Sequence, residues 1–255
     1  MAVRVSSEMR ALAHQLRYEP TPRRIRADAG GVTLVDSQDA FLVFEPRKLT
    51  PVFAVPEADI AADLLPAATG RLRGGPRSHF AAHTAEGQVL TLRNGDLELP
   101  EAGFRLADAD LAGQVLLDFG AFDQWREEDE VVEGHPRDPF HRVDARVSSR
   151  WVRVGYGTRV LAESVRPVFV YETMLPVRTY LPREDVDFGV LERTSHSTIC
   201  PYKGTASFWS VAGGGSRGEN IAWSYETPLQ DATQLEGLIA FYDERTIIDV
   251  EGKSA

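Results

Sequence analysis

A single cysteine, Cys200, serves a chain of 255 residues. That excludes an intramolecular disulfide and any zinc site built from several thiolates. His196 stands four residues before it, and two ligands do not make a metal site. No run approaches the roughly 18 apolar residues of a membrane-spanning helix. The first residues, "MAVRVSSEMRALAHQL", hold no apolar stretch of signal-peptide length and read as a short amphipathic helix. Basic charge is also scarce: the net charge is −10, against the basic surface that gripping nucleic acid requires. The local basic runs "TPRRIR" and "GRLRGGPR" read as solvated loop or strand faces. A phosphate-binding loop is missing too, because Gly213 to Gly215 precede no helical pattern and read as a hairpin loop. These absences lead to the expectation of a cytoplasmic protein with no nucleic-acid or membrane partner, no metal and no cofactor.

What is present is internal similarity. "LVDSQDAFLVFEPRKLTPVFAVPEADIAADLL" can be laid against "LAESVRPVFVYETMLPVRTYLPREDVDFGVL". Ser37 then meets Ser164, Glu45 meets Glu172, Pro56 meets Pro182 and Asp59 meets Asp185. Further on, Leu111, Gly113 and Val115 meet Leu235, Gly237 and Ile239. The sequence is a tandem duplication, with a connector "EGHPRDPFHRVDARVSSR" and a boundary near Pro139, giving repeats 1–138 and 139–255. Segments such as "WVRV", "PVFVYE", "ASFWSV" and "IAFY" are rich in β-branched and aromatic residues and bounded by Gly, Pro or Asp. They predict mainly β domains of short antiparallel strands, with helical pattern at the N-terminus and weakly around Leu229 to Leu238.

The repeats differ where chemistry is expected. The second carries Cys200, Tyr202, Lys203, Trp209, Trp223 and Tyr225; the corresponding part of the first has no cysteine, tryptophan or lysine. "CPYKG" reads as a turn, with Pro201 setting φ and Gly204 free to take positive φ. The turn and the strand after it show no counterpart in the first repeat, whose site is expected to be degenerate. A hairpin "SFWSV"…"ENIAWSY" is expected to place Ser207, Trp209 and Val211 on one face with Glu219, Ile221, Trp223 and Tyr225. Large aromatics at strand spacing form a core or line a pocket; Glu219, Lys203 and Cys200 nearby are costly to bury without partners. Cys200 is either a small buried hydrophobe or, with Lys203 favouring its thiolate, a nucleophile. No His–Asp orienting pair accompanies it.

"HPRDPFHRVD", "LPVRTYLPREDV", "TICPYKGTASFWSV", "ENIAWSY" and "IAFYDERTIIDV" closely resemble the bacterial family known as domain of unknown function 427. The resemblance runs nearly end to end from His135 to Gly252 and more loosely through "EPTPRRIRA", "FLVFEP" and "QWREEDEVVEGHPRDP" in the first half. It implies two tandem β-tent-like domains, an architecture shared with the ligand-binding domain of cereblon and with methionine sulfoxide reductase B. The family's nucleotidyltransferase-like label finds no phosphate loop here. β-Tent proteins that hold zinc use four cysteines, which this chain does not have.

The expected function is binding of a small, anionic metabolite in an aromatic pocket of the C-terminal repeat. Trp209, Trp223 and Tyr225 would wall it, joined by Tyr202 and Asn220. Arg178 and Lys203 would meet the anionic group, with Glu172 or Glu219 as acid or base. Cys200, Lys203 and Glu219 form the candidate catalytic set. One alternative is a metal-dependent enzyme acting on a nucleotide or phosphorylated metabolite, with Asp185 and Asp187 two apart on a strand and so on one face. Another is a protein-interaction module presenting a sheet.

Overall fold

The computed structural model describes residues 2–67, 83–251 and 253–254. The basic run at 70–77 lies outside them. The chain divides into two compact units, Met1–Asp138 and Pro139–Ala255. Both are mainly β, and among the described residues the named strands pair antiparallel, with one isolated parallel bridge between Tyr225 and Glu236. A helix, α1 (Val5–Leu12), precedes the first strand and buries no residue.

Unit 1 contains β1 (Arg17–Pro20), β2 (Ile25–Ala29), β3 (Val32–Ser37), β4 (Phe41–Phe44), β5 (Val52–Pro56) and β6 (Asp63–Pro66). It continues with β7 (Gly87–Asn94), β8 (Leu97–Leu106), β9 (Gln114–Leu117), β10 (Gln124–Glu127) and β11 (Glu130–Val132). Unit 2 contains β12 (Val143–Val147), β13 (Val152–Tyr156), β14 (Arg159–Ser164), β15 (Val168–Glu172), β16 (Arg178–Leu181) and β17 (Leu191–Cys200). After these come β18 (Gly204–Val211), β19 (Ala222–Tyr225), β20 (Ile239–Phe241), β21 (Ile247–Val250) and β22 (Lys253–Ser254).

Each unit pairs a seven-stranded with a four-stranded sheet, and the strand orders match: β1-β4-β5-β9-β8-β7-β6 with β11-β10-β2-β3, then β12-β15-β16-β20-β19-β18-β17 with β14-β13-β21-β22. β6 and β7 thus occupy the places of β17 and β18. The strand after the "CPYKG" turn has a counterpart in unit 1 that its divergent sequence concealed.

The first core of each unit lies between its two sheets. In unit 2, Val152, Val154, Leu161 and Ile248 meet Phe169, Leu181, Trp209, Ile239 and Phe241; in unit 1, Ile25, Ala27, Leu34 and Trp125 meet Leu42, Phe53, Val55, Leu90 and Leu117. A second cluster covers the outer face of each large sheet, with Val43, Ala54, Phe104, Leu106 and Leu116 in unit 1 and Val170, Tyr180, Phe208, Trp223, Tyr225 and Ala240 in unit 2. Burial on both faces explains why "FLVF", "VFAV" and "VFVY" are continuous apolar runs instead of alternating ones.

Strand registers make the units comparable residue by residue. Phe41 pairs Ala54 as Val168 pairs Tyr180, and Ala54 pairs Leu116 as Tyr180 pairs Ala240. Phe104 pairs Leu116 as Trp223 pairs Ala240. Gly87 pairs Leu106 as Ala206 pairs Tyr225. The aligned Ser and Asp residues make the same bond in both units: Ser37 Oγ donates to Asp59 and Ser164 Oγ donates to Asp185, each at 2.6 Å.

The β18–β19 register differs by one residue from the expected hairpin, with Phe208 opposite Trp223 and Trp209 opposite Ala222. The cause lies in the connection. Gly215–Gly218 forms a helical turn, Gly213 and Gly215 take positive φ, and Tyr156 and Arg159 donate to the carbonyls of Gly214 and Ala212. Loop geometry sets hairpin register, and a one-residue step reverses every side chain. Trp209 therefore points between the sheets, in the place of Leu90, while Trp223 and Tyr225 face outward.

Candidate functional site

The "CPYKG" turn joins β17 to β18 through three residues, and Cys200 pairs with Gly204 across it. Gly204 has φ of +96°, a conformation that disfavours any side chain. The turn directs Lys203 inward, where its Nζ donates to Glu172 Oε1 at 2.6 Å. His141 Nε2 lies 3.4 Å from the other carboxylate oxygen, and Tyr202 stacks on the His141 ring at 4.3 Å. The Glu172 side chain is only 4% exposed. Burial pushes its carboxyl up, but His141 close by and the charge and hydrogen bond of Lys203 outweigh that and hold it below the ordinary carboxylate value. Glu172 is therefore a buried, ionised group with two partners.

Beside this cluster lies the outer aromatic face. Trp223 Nε1 donates to the Tyr180 hydroxyl at 3.0 Å, and the rings meet edge to face. Tyr242 packs on Trp223 at 4.6 Å. Arg178 lies over both Trp223 and Tyr242 at 5.9 Å and is held by Asp243 and Glu244. Lys203 Nζ sits 5.6 Å from the centre of the Tyr225 ring. Cys200 is half-buried against the same cluster. Burial pushes the phenols of Tyr180 and Tyr225 well above the usual tyrosine value, so both stay protonated.

Of the residues singled out from sequence, Cys200, Lys203, Glu172, Tyr202, Trp223, Tyr225 and Arg178 gather on this side of the large sheet. Three do not join them. Trp209 is in the core between the sheets, edge to face with Phe188. Glu219 is exposed, and Asn220 accepts from Thr194 Oγ1 and takes positive φ. Both sit at the far end of β18 from the turn, about 23 Å along an eight-residue strand. Glu219 is therefore too distant to share chemistry with Cys200 and Lys203. Asp185 lies in a 3₁₀ turn (Arg183–Asp185), not the expected strand, and binds Ser164 and Arg166. Asp187 accepts from the Gly189 amide. Among the described residues no group of three or more His, Cys, Asp or Glu side chains is arranged to hold a metal.

A family model described as a domain of unknown function (DUF427) matches residues 17–74 and 144–252. The chain belongs to the DUF427 family. No curated protein matches it. The matched segments fall one in each unit, the longer in the C-terminal one.

The comparison of its units exposes what sequence reasoning missed. Glu45, the counterpart of Glu172, is also buried; it binds Lys48 at 3.1 Å and His83 at 2.7 Å, and His83 stacks on Phe104. Burial pushes Glu45 up, while the His83 hydrogen bond and charge, the Thr84 amide and Lys48 bring it below the ordinary value. Both units thus keep a buried carboxylate–lysine–histidine cluster. The shared glutamate was legible in the repeat alignment, but its partners come from non-equivalent positions: Lys48 and His83 in unit 1, Lys203 and His141 in unit 2. Tyr180 was also missed, although the alignment sets it over Ala54.

Proposed function

We propose that this DUF427 protein binds a small molecule at the outer aromatic face of the C-terminal unit, with Trp223, Tyr225 and Tyr180 as its walls, Tyr242 and Arg178 at its rim and Cys200 at its edge. One observation carries the reading. Unit 2 has Arg178, Tyr180, Trp223 and Tyr225 at the positions where unit 1 has Val52, Ala54, Phe104 and Leu106. The same sheet, in the same register, is covered in unit 1 by apolar side chains. The aromatic groups with polar tips are therefore not demanded by the fold, and a binding role accounts for them. Two sheets sharing a core in each unit support a β-tent assignment. Acidic net charge and a lone free cysteine support a cytoplasmic setting.

The anionic ligand anticipated from sequence draws little support, since Arg178 and Lys203 are both paired with carboxylates of the chain itself. The test is a fragment screen read by NMR on protein labelled at indole nitrogens and tyrosine rings. Binding is expected to shift Trp223, Tyr180, Tyr225 and Tyr242 together. Shifts confined to unit 1, or none at these residues, would refute the reading.

A further inference from the structure

If the outer aromatic face of unit 2 is a binding site, as proposed, its leftover hydrogen-bonding groups point to the chemistry of the ligand. Every cation there already has partners. Both terminal nitrogens of Arg178 reach Asp243 or Glu244, Lys203 reaches Glu172, and Arg245, which lies over Tyr242, donates to the carbonyls of Glu219 and Asn220. The phenols are different. Tyr225 is 6% exposed, and its hydroxyl has no hydrogen-bond partner among the described residues. Tyr180 is fully buried; its hydroxyl accepts from Trp223 and donates to no described residue. A buried O–H that donates to nothing, as in Tyr180, forfeits a hydrogen bond it would make in water, whereas the Tyr225 hydroxyl oxygen keeps some contact with solvent.

The two hydroxyls belong to one surface. Tyr180 and Trp223 both pair with Ala240, so a small side chain lies between those two rings, and Tyr225 stands two residues after Trp223 on the same strand and the same face. We propose that Tyr180 and Tyr225 donate their free hydroxyl protons to the carbonyl oxygen of a neutral ligand whose plane packs against Trp223. An anionic ligand would need an unpaired cation, and a cationic one would meet donors where it needs acceptors. A neutral carbonyl oxygen matches two phenol donors with the local charges already balanced.

Three probes of one skeleton separate these cases: benzamide, benzoate and benzylammonium, titrated into the full-length protein while the Trp223 indole N–H is followed by NMR. Benzamide is expected to bind tightest, and Tyr225→Phe is expected to weaken it roughly fivefold, the size of one lost hydrogen bond. Tyr225→Leu, which installs the residue of unit 1, should behave likewise and guards against misfolding of the first variant. Tighter binding of benzoate or benzylammonium, or unchanged benzamide binding in both variants, would overturn the proposal while leaving a ligand site standing. If none of the three probes moves the signals of Tyr180, Trp223 or Tyr225, the site and the proposal fail together.

Discussion

Glu172 is ionised in a place where burial alone would neutralise it, and Lys203 and His141 are the reason. Removing the charge as Glu172→Gln leaves the Lys203 ammonium, 10% exposed, without its counter-ion, a change expected to cost about 3 kcal/mol. Chemical denaturation at neutral pH measures it. The pH dependence has a definite sign. The folded carboxyl sits below its ordinary value near 4.5, so its stabilisation is complete above that value and is lost as pH falls through the lower folded value. Melting temperatures taken downward through the carboxylate range should therefore fall less steeply for Glu172→Gln than for the parent protein. The two tryptophans separate just as sharply. Trp209→Ala empties a core position and is expected to cost about 3–5 kcal/mol. Trp223→Phe, which copies Phe104, should cost far less and instead remove fragment binding. Equal losses of stability for the two would mean that both faces are only core.

At the scale of elements, the turn and the hairpin carry different lessons. "CPYKG" was legible because Pro201 and Gly204 each dictate a backbone conformation locally. Gly204→Ala is expected to destabilise by about 1–3 kcal/mol, since alanine must hold φ near +96° with Leu229 against it. A melt unchanged by that substitution would show that the turn relaxes. The β18–β19 register was not legible, because it depends on how Gly213–Gly218 folds and on Tyr156 and Arg159 reaching that loop from β13 and β14. Those contacts are long-range, and the one-residue step they impose sends Trp209 to the core and Trp223 to the outer face. The Ser–Asp ties show the opposite case, since aligned residues at matching offsets make the same bond twice.

Across the whole molecule, the duplication acts as an internal control. The repeats and the mainly β character could be read from sequence because strand patterns recur at nearly constant offsets. The buried clusters at Glu45 and Glu172 could not, because different segments deliver their lysine and histidine partners. What separates the units is the face built on Tyr180, Trp223 and Tyr225, and that contrast defines the decisive measurement. Five substitutions, Arg178→Val, Tyr180→Ala, Trp223→Phe, Tyr225→Leu and Ala240→Leu, convert the face to that of unit 1, with Leu at 240 filling space vacated by Tyr180. Circular dichroism, thermal melting and the fragment titration of this variant, set beside the parent protein, test the claim together. The account predicts a folded β protein of similar melting temperature that no longer binds fragments at unit 2. An unfolded variant, or one that binds them as before, would contradict it.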